Sequence, residues 1–83
     1  MEVLCFGMQG CSACDYLEEI IQWLKKDNIN ATKYDVYSKK AKELDIKSVP
    51  FIKIYYKEQY HDIEWIGRTR TYKNIKSWCE LNG

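Results

Sequence analysis

The alternation of apolar and polar residues defines the first two elements of the chain. Residues 2–6 alternate with a period of two, placing Val3 and Cys5 on the same face, which predicts a short strand. Residues 12–28 instead carry apolar side chains at the i, i+3, i+4 and i+7 spacing of one helix face. These side chains are Leu17, Ile20, Ile21 and Leu24. The pattern therefore predicts a strand followed by an amphipathic helix with one buried stripe.

Five further elements follow, separated by polar or glycine-containing turns. They are a strand over residues 31–37, a helix over 39–45, strands over 51–56 and 60–66, and a helix that runs to Leu81. Ser38 is a suitable N-cap for the short helix, and Thr69 or Thr71 is a suitable N-cap for the last one. Residues 57–59 predict a hairpin turn, so the third and fourth strands are expected to be antiparallel.

The resulting element order is β-α-β-α-β-β-α. A strand-helix-strand unit implies a parallel pair with a right-handed crossover, and the closing hairpin adds an antiparallel edge. We therefore expect an α/β protein with a four-stranded mixed sheet and helices on both of its faces. A chain of 83 residues has the size of one domain, here residues 1–83.

Charge and hydropathy narrow the range of partners. Thirteen basic residues against twelve acidic ones give a net charge of +1, and this balance argues against a nucleic-acid partner. The apolar runs are too short to span a bilayer, and the N-terminal segment lacks the basic region of a signal peptide. We therefore expect a cytoplasmic monomer that binds neither nucleic acid nor membranes.

The segment Gly10–Cys14 carries the chemistry of the chain. Cys11 and Cys14 are three positions apart at the predicted start of a helix, so they share a face and can close a small disulfide ring. Unpaired backbone N–H groups and the positive end of the helix dipole favour the thiolate of Cys11. Because the thiolate is the nucleophile of thiol–disulfide exchange, we interpret this segment as a redox site.

Two other interpretations of the pair remain open, a metal site and a purely structural disulfide. Zinc commonly takes four ligands from two such pairs, or from one pair and two histidines. This chain has one pair, one histidine (His61) and two isolated cysteines, which favours redox chemistry and predicts no metal site.

The two isolated cysteines, Cys5 and Cys79, are expected to be small buried hydrophobic residues. A more specific hypothesis concerns Cys5, which precedes the Gly10–Cys14 segment. It would act as an additional thiol that traps Cys14.

With these elements in place, the sequence resembles the thioredoxin/glutaredoxin superfamily, as a small glutaredoxin-like or short thioredoxin-like protein. The resemblance covers essentially the whole chain and depends on two features. One is the Cys11-Ser-Ala-Cys14 motif between the first strand and the first helix. The other is a Val-Pro pair at the start of the third strand, in the pattern Ala41, Leu44, Ile46, Val49 and Pro50. The resemblance implies the thioredoxin fold.

The resemblance also assigns roles to individual residues. Cys11 would be the attacking thiol and Cys14 the buried resolving thiol. Pro50 would be a cis-proline that lies against the cysteine pair and leaves the backbone of Val49 free to pair with an extended substrate. Tyr16 is expected to be exposed beside the pair and to contact a partner.

The chain departs from the glutaredoxin pattern in three places, and it departs from thioredoxin in lacking the Trp-Cys-Gly-Pro-Cys motif and at the position of Cys5. Ser-Ala replaces Pro-Tyr between the cysteines, Met8 replaces a basic residue, and Gly67-Arg68 begins the segment that holds glutathione in glutaredoxins. Gly67 and Arg68 remain expected substrate-binding residues, since Arg68 can reach a carboxylate. Cys5 stands where thioredoxin has a buried acid.

The sequence therefore predicts a dithiol–disulfide oxidoreductase that acts on protein or small-molecule disulfides. It needs no dissociable cofactor, and a reductase or glutathione would restore the dithiol. The resemblance suggests ribonucleotide reductase as one electron acceptor. The alternatives are a non-catalytic module that binds a partner in the Pro50 groove, and a small metal-binding protein.

Overall fold

A computed structural model describes residues 1–83 of the chain. Four strands and three α-helices follow the predicted order, and a single 3-10 turn, Ala13–Asp15, precedes the first helix. The elements are β1 (Glu2–Gly7), α1 (Tyr16–Lys26), β2 (Ala31–Asp35), α2 (Lys39–Glu43), β3 (Phe51–Tyr56), β4 (Gln59–Ile63) and α3 (Arg68–Asn82). No helix combines the length and the apolar character that crossing a membrane requires.

The strands form one mixed sheet in the order β2-β1-β3-β4. β1 is parallel to β2 and antiparallel to β3, and β4 is antiparallel to β3. This arrangement confirms the predicted sheet, with its parallel pair and its closing hairpin.

The larger core lies on the sheet face that α1 and α3 cover. Val3 and Cys5 of β1 and Ile52 and Ile54 of β3 point to this face, where all four are fully buried. They pack against the predicted stripe of α1 and against Ile75 of α3. At roughly 25 cal/mol per Å² of apolar surface removed from water, this cluster is the main source of stability.

A smaller cluster covers the opposite face. Leu4 and Phe6 of β1 pack there against Ala41 of the short helix α2, and Phe6 stacks on Tyr34 with ring centroids 5.6 Å apart. The helices therefore lie on both faces, as predicted, and β1 is buried from both sides.

Several element boundaries differ from the sequence-based prediction. The strand predicted over 60–66 is β4, which begins at Gln59 because the hairpin turn consists of two residues, Lys57 and Glu58, both with positive φ. Such two-residue turns match the twist of paired strands. β2 ends at Asp35 because the Asp35 carboxylate accepts the N–H of Tyr37 at 2.7 Å and turns the chain.

The predicted helix ends also shift. The helix predicted from Ser12 begins as a 3-10 turn and becomes α-helical only at Tyr16. Ser38 caps α2 as predicted, with its hydroxyl accepting the N–H of Ala41 at 3.2 Å. α2 ends at Glu43 instead of Asp45, since Asp45 has a φ of 56° and the Ile46 N–H closes the helix onto the carbonyl of Ala41.

Neither Thr69 nor Thr71 is the N-cap of α3. The helix begins at Arg68, and the N-cap position is Gly67, whose φ of 102° suits glycine. Thr71 lies inside the helix, fully buried, and its hydroxyl accepts the N–H of Ile66 at 2.9 Å. This bond ties the start of α3 to the segment that leaves β4.

We predict that Thr71→Val lowers the free energy of unfolding by about 1–3 kcal/mol, because valine keeps the volume but leaves the Ile66 N–H without an acceptor. Thr71→Ser is the matched control, since it keeps the hydroxyl and loses only a methyl group. Urea unfolding measures the stability, and amide hydrogen exchange at Ile66 measures the bond. Fast exchange in the valine variant and slow exchange in the serine variant are expected. Equal exchange in the two variants would contradict this role of Thr71.

Candidate active site

The cysteine pair lies between β1 and α1: Cys14 is in the 3-10 turn, and Cys11 lies two residues before that turn begins. The Cα atoms of Cys11 and Cys14 are 5.2 Å apart and the two side chains form a disulfide, as their spacing predicts. The Cys14 N–H donates to the Cys11 carbonyl at 3.1 Å and is 3.3 Å from the Cys11 sulfur. The turn thus directs a backbone donor at the sulfur of Cys11 in the disulfide-bonded pair.

The two sulfurs differ in their access to solvent. Cys14 is only 1% exposed and belongs to the main core, whereas Cys11 is partly exposed and packs on the edge of that core. A reagent in solution can therefore reach Cys11 and not Cys14.

Gly7, at the end of β1, lies directly beneath the buried cysteine. A Cβ atom on Gly7 would lie 3.1 Å from the Cβ of Cys14 and 3.1 Å from the Cδ1 of Leu17, which is tighter than ordinary van der Waals contact. Glycine at this position lets the strand approach the turn closely and fixes where Cys14 lies.

Val49 and Pro50 precede β3, and the peptide bond between them is cis, as the resemblance implies. Val49 packs against both core clusters. Pro50 lines a cleft of about 390 Å³ with side chains that include Phe51, Ile63 and Trp65, but neither cysteine lines this cleft. The contact of Pro50 with the cysteine pair stays a prediction.

Tyr16, Gly67 and Arg68 come together at the start of α1 and α3. The guanidinium of Arg68 lies 5.0 Å from the centre of the Tyr16 ring, and its Nη1 donates to the Glu19 carboxylate at 2.9 Å. Gly67 is the residue that turns the chain into α3. Tyr16 is 45% exposed, as predicted. That these residues bind substrate stays a prediction.

Cys5 and Cys79 are free thiols, and both are buried, as predicted. Burial raises the pKa of Cys5 from 9.0 to about 12, and the nearby charge of Glu18 adds to this while Lys33 opposes it. Burial also raises the pKa of Cys79. Both thiols therefore remain protonated at neutral pH. That Cys5 traps Cys14 stays a prediction.

The geometry also bears on the metal hypothesis. No group of three or more His, Cys, Asp or Glu side chains is placed to hold a metal ion. The alternative of a small metal-binding protein therefore lacks a ligand set within one chain.

Comparison with solved structures shows what this architecture resembles. Thioredoxin 1 from Thermosipho africanus matches with a TM-score of 0.73 and 22% identity, over 98% of this chain and 97% of that one. Thioredoxin O2 from Arabidopsis thaliana matches with a TM-score of 0.73 and 17% identity, over 96% of this chain and 72% of that one. Reduced Escherichia coli glutaredoxin matches with a TM-score of 0.53 and 21% identity, over 99% and 96% of the two chains. The chain therefore has the thioredoxin fold.

Sequence comparison adds nothing to this likeness. No protein-family model matches the chain, and no curated protein matches it.

Sequence reasoning missed Glu19, the partner of Arg68, and it proposed Thr71 as an N-cap although the Thr71 hydroxyl is buried inside α3. In the sequence, Glu19 has the features of an ordinary acidic residue in the first turn of a helix, and its partner Arg68 is 49 positions away. No local pattern marks a pair of that separation.

The raised pKa of Cys5 makes a prediction about stability at high pH. Because the folded-state pKa of about 12 exceeds the ordinary value of 9.0, the folded chain holds this proton more tightly than the unfolded chain. The resulting stability is complete below about pH 9 and is lost as pH rises toward 12. Cys5→Ala removes this contribution, so wild-type stability should fall more steeply above pH 9, by at most about 1.4 kcal/mol per pH unit.

Urea unfolding of the two proteins under reducing conditions at several pH values measures this difference. Comparing slopes separates the titration from the packing cost of the smaller side chain. Parallel curves above pH 9 would show that Cys5 does not titrate in this way.

Proposed function

We propose that the protein is a dithiol–disulfide oxidoreductase that uses Cys11 and Cys14 to reduce disulfides. The observation that carries this proposal is the bonded pair itself, in which Cys11 is partly exposed and Cys14 is buried, in the segment that leads into α1. The likeness to thioredoxins and a glutaredoxin supports a redox role of this kind.

In the first step the Cys11 thiolate attacks one sulfur of the substrate disulfide. A new bond forms between that sulfur and Cys11, the substrate S–S bond breaks, and the second substrate sulfur leaves as a thiolate that takes up a proton. The exposure of Cys11 and the N–H of Cys14 beside its sulfur support this assignment.

In the second step the Cys14 thiolate attacks the sulfur of Cys11. The mixed disulfide breaks, the remaining substrate thiol leaves, and the Cys11–Cys14 disulfide forms. Two electrons have then passed from the protein to the substrate. Thr71 is the only polar residue among the buried residues of the protein, so no buried carboxylate is present to accept the proton of Cys14. That proton passes to water or to the leaving thiolate.

Another dithiol, or two molecules of a monothiol such as glutathione, must then reduce the Cys11–Cys14 disulfide. A reductase protein or glutathione would supply these two electrons through the reverse exchange, and no dissociable cofactor takes part. We further propose that the protein works as a monomer in the cytoplasm and that ribonucleotide reductase is one candidate acceptor.

We propose that the substrate disulfide lies between the cysteine pair and the segments around Pro50 and Arg68. The backbone of Val49 would pair with an extended chain, while Gly67 and Tyr16 would form the opposite rim. The cleft beside Pro50 supports this proposal, because its lining combines the apolar side chains Phe51, Ile63 and Trp65 with polar ones, among them the carboxylates of Asp62 and Glu64, and such a mixed lining suits an extended polypeptide.

The cleft also supports a second candidate function, since neither cysteine lines it. A module that bound a partner there would not need the thiols. Turnover separates the two functions, because only the oxidoreductase transfers electrons.

Reduction of insulin by dithiothreitol tests catalysis directly. The wild-type protein should accelerate the reaction, and Cys11→Ser should return the rate to that of dithiothreitol alone, because no other exposed thiol is present. Cys79→Ala is the matched control, since it also removes a cysteine but leaves the pair intact. A wild-type rate no faster than the reductant alone would contradict the proposal and favour the binding module.

The order of attack has its own test. Cys14→Ser can carry out the first step and not the second, so it should accumulate a mixed disulfide with a substrate peptide at Cys11. Mass spectrometry after proteolysis locates the adduct. An adduct on Cys5 or Cys79, or none at all, would show that Cys11 is not the attacking thiol.

A further inference from the structure

The cation at the start of α3 already has an internal partner. The Nη1 of Arg68 donates to the Glu19 carboxylate at 2.9 Å, and the guanidinium lies 5.0 Å from the centre of the Tyr16 ring. Tyr16 is two positions after Cys14 and is the first residue of α1. The cation therefore lies over the start of the helix that follows the cysteine pair, and its charge is offset by a carboxylate of the same chain.

The backbone that presents Arg68 is held firmly. Thr71 donates its N–H to the carbonyl of Gly67 and accepts the N–H of Ile66 in its side chain, both at 2.9 Å. Arg68, the first residue of α3, is thus carried by an anchored turn, and Glu19 is carried by the first turn of the 11-residue helix α1. The ion pair joins two fixed elements.

The pair remains accessible from solution. The side chains of Arg68 and Glu19 are 43% and 49% exposed, so an incoming anion can reach the guanidinium. Arginine prefers carboxylates as partners, and an exposed ion pair is weak enough for a ligand to displace. A substrate carboxylate must therefore compete with Glu19.

We infer that Glu19 determines substrate specificity at this site by occupying Arg68, so that the protein discriminates against disulfides carrying carboxylates and prefers neutral disulfides. This inference rests on the proposed oxidoreductase function and names its substrate class. Glu19 does not touch the reacting sulfurs. It acts through Arg68, as an internal carboxylate in the place that a substrate carboxylate would take.

Two small disulfides of different charge test this inference. Oxidised glutathione carries more carboxylates than ammonium groups, and bis(2-hydroxyethyl) disulfide carries neither. Each oxidises the reduced protein by the same exchange, in which the protein loses two electrons and the disulfide becomes two thiols. Rate constants for both are measured by quenching with an alkylating agent and counting free thiols by mass.

Glu19→Gln should raise the rate constant with oxidised glutathione about twofold to fivefold, the range that an exposed ion pair contributes, and should leave the rate constant with the neutral disulfide unchanged. Glu18→Gln is the matched control. It removes the same charge from the same helical turn, but Glu18 pairs with Lys33 at 3.1 Å and not with Arg68. Glu18→Gln should therefore raise the rate constant with oxidised glutathione clearly less than Glu19→Gln does.

The double variant Glu19→Gln/Arg68→Gln should lose the gain with oxidised glutathione, because the freed cation is then absent. The inference would be overturned if Glu19→Gln and Glu18→Gln changed the two rate constants alike, or if the gain survived in the double variant. Failure of the proposed function gives a different result. In that case the reduced wild-type protein would react with neither disulfide faster than a simple thiol.

Discussion

The burial of β1 on both faces and along both edges is the constraint on which the site depends. Val3 and Cys5 face the main core, Leu4 and Phe6 face the smaller one, and β2 and β3 flank the strand. A strand enclosed in this way cannot shift by one residue without moving buried apolar side chains into the wrong core. Its last residue is therefore fixed in space, and the absence of a side chain there lets Cys14 pack directly onto the end of the strand.

The fixed position of Gly7 at the end of β1 explains why the two sulfurs differ in their exposure to solvent. The turn that leaves β1 buries Cys14 in the core and leaves Cys11 at the surface. This difference in accessibility supports the proposal that Cys11 is the attacking thiol and Cys14 the resolving thiol. The same burial keeps Cys5 and Cys79 protonated, so the chain contains four cysteines but exposes one reactive sulfur. At the position where the resemblance to thioredoxin implies a buried acid, this chain has the neutral thiol of Cys5, and no buried carboxylate is present to act as a base for Cys14.

Much of the fold was predictable from the sequence, because the spacing of apolar residues within each helix or strand indicates which of its side chains are buried. The stripe of α1, the two faces of β1 and the Cys11–Cys14 turn all follow from local spacing. The ends of helices and strands were predicted less accurately, because they depend on backbone conformations such as the positive φ of Lys57 and Glu58. The partners of Thr71 and Glu19 were not predictable at all. Glu19 pairs with Arg68, which is 49 positions away, so this partner depends on how α1 and α3 meet in three dimensions. The Ile66 N–H is only five positions from Thr71, but the backbone turn at Gly67 decides that the Thr71 hydroxyl accepts it from inside the helix.

We propose that Cys11 and Cys14 exchange two electrons as a unit while Cys5 and Cys79 take no part. The competing hypothesis is that the Cys5 thiol traps Cys14. A redox titration against a thiol–disulfide buffer, with alkylation and mass analysis at each potential, measures this most directly. The account predicts one transition in which two of the four cysteines lose their labels together, within the range of about −270 to −120 mV that spans known relatives of this fold. A protein that keeps four free thiols throughout, or a transition that involves Cys5 or Cys79, would contradict it.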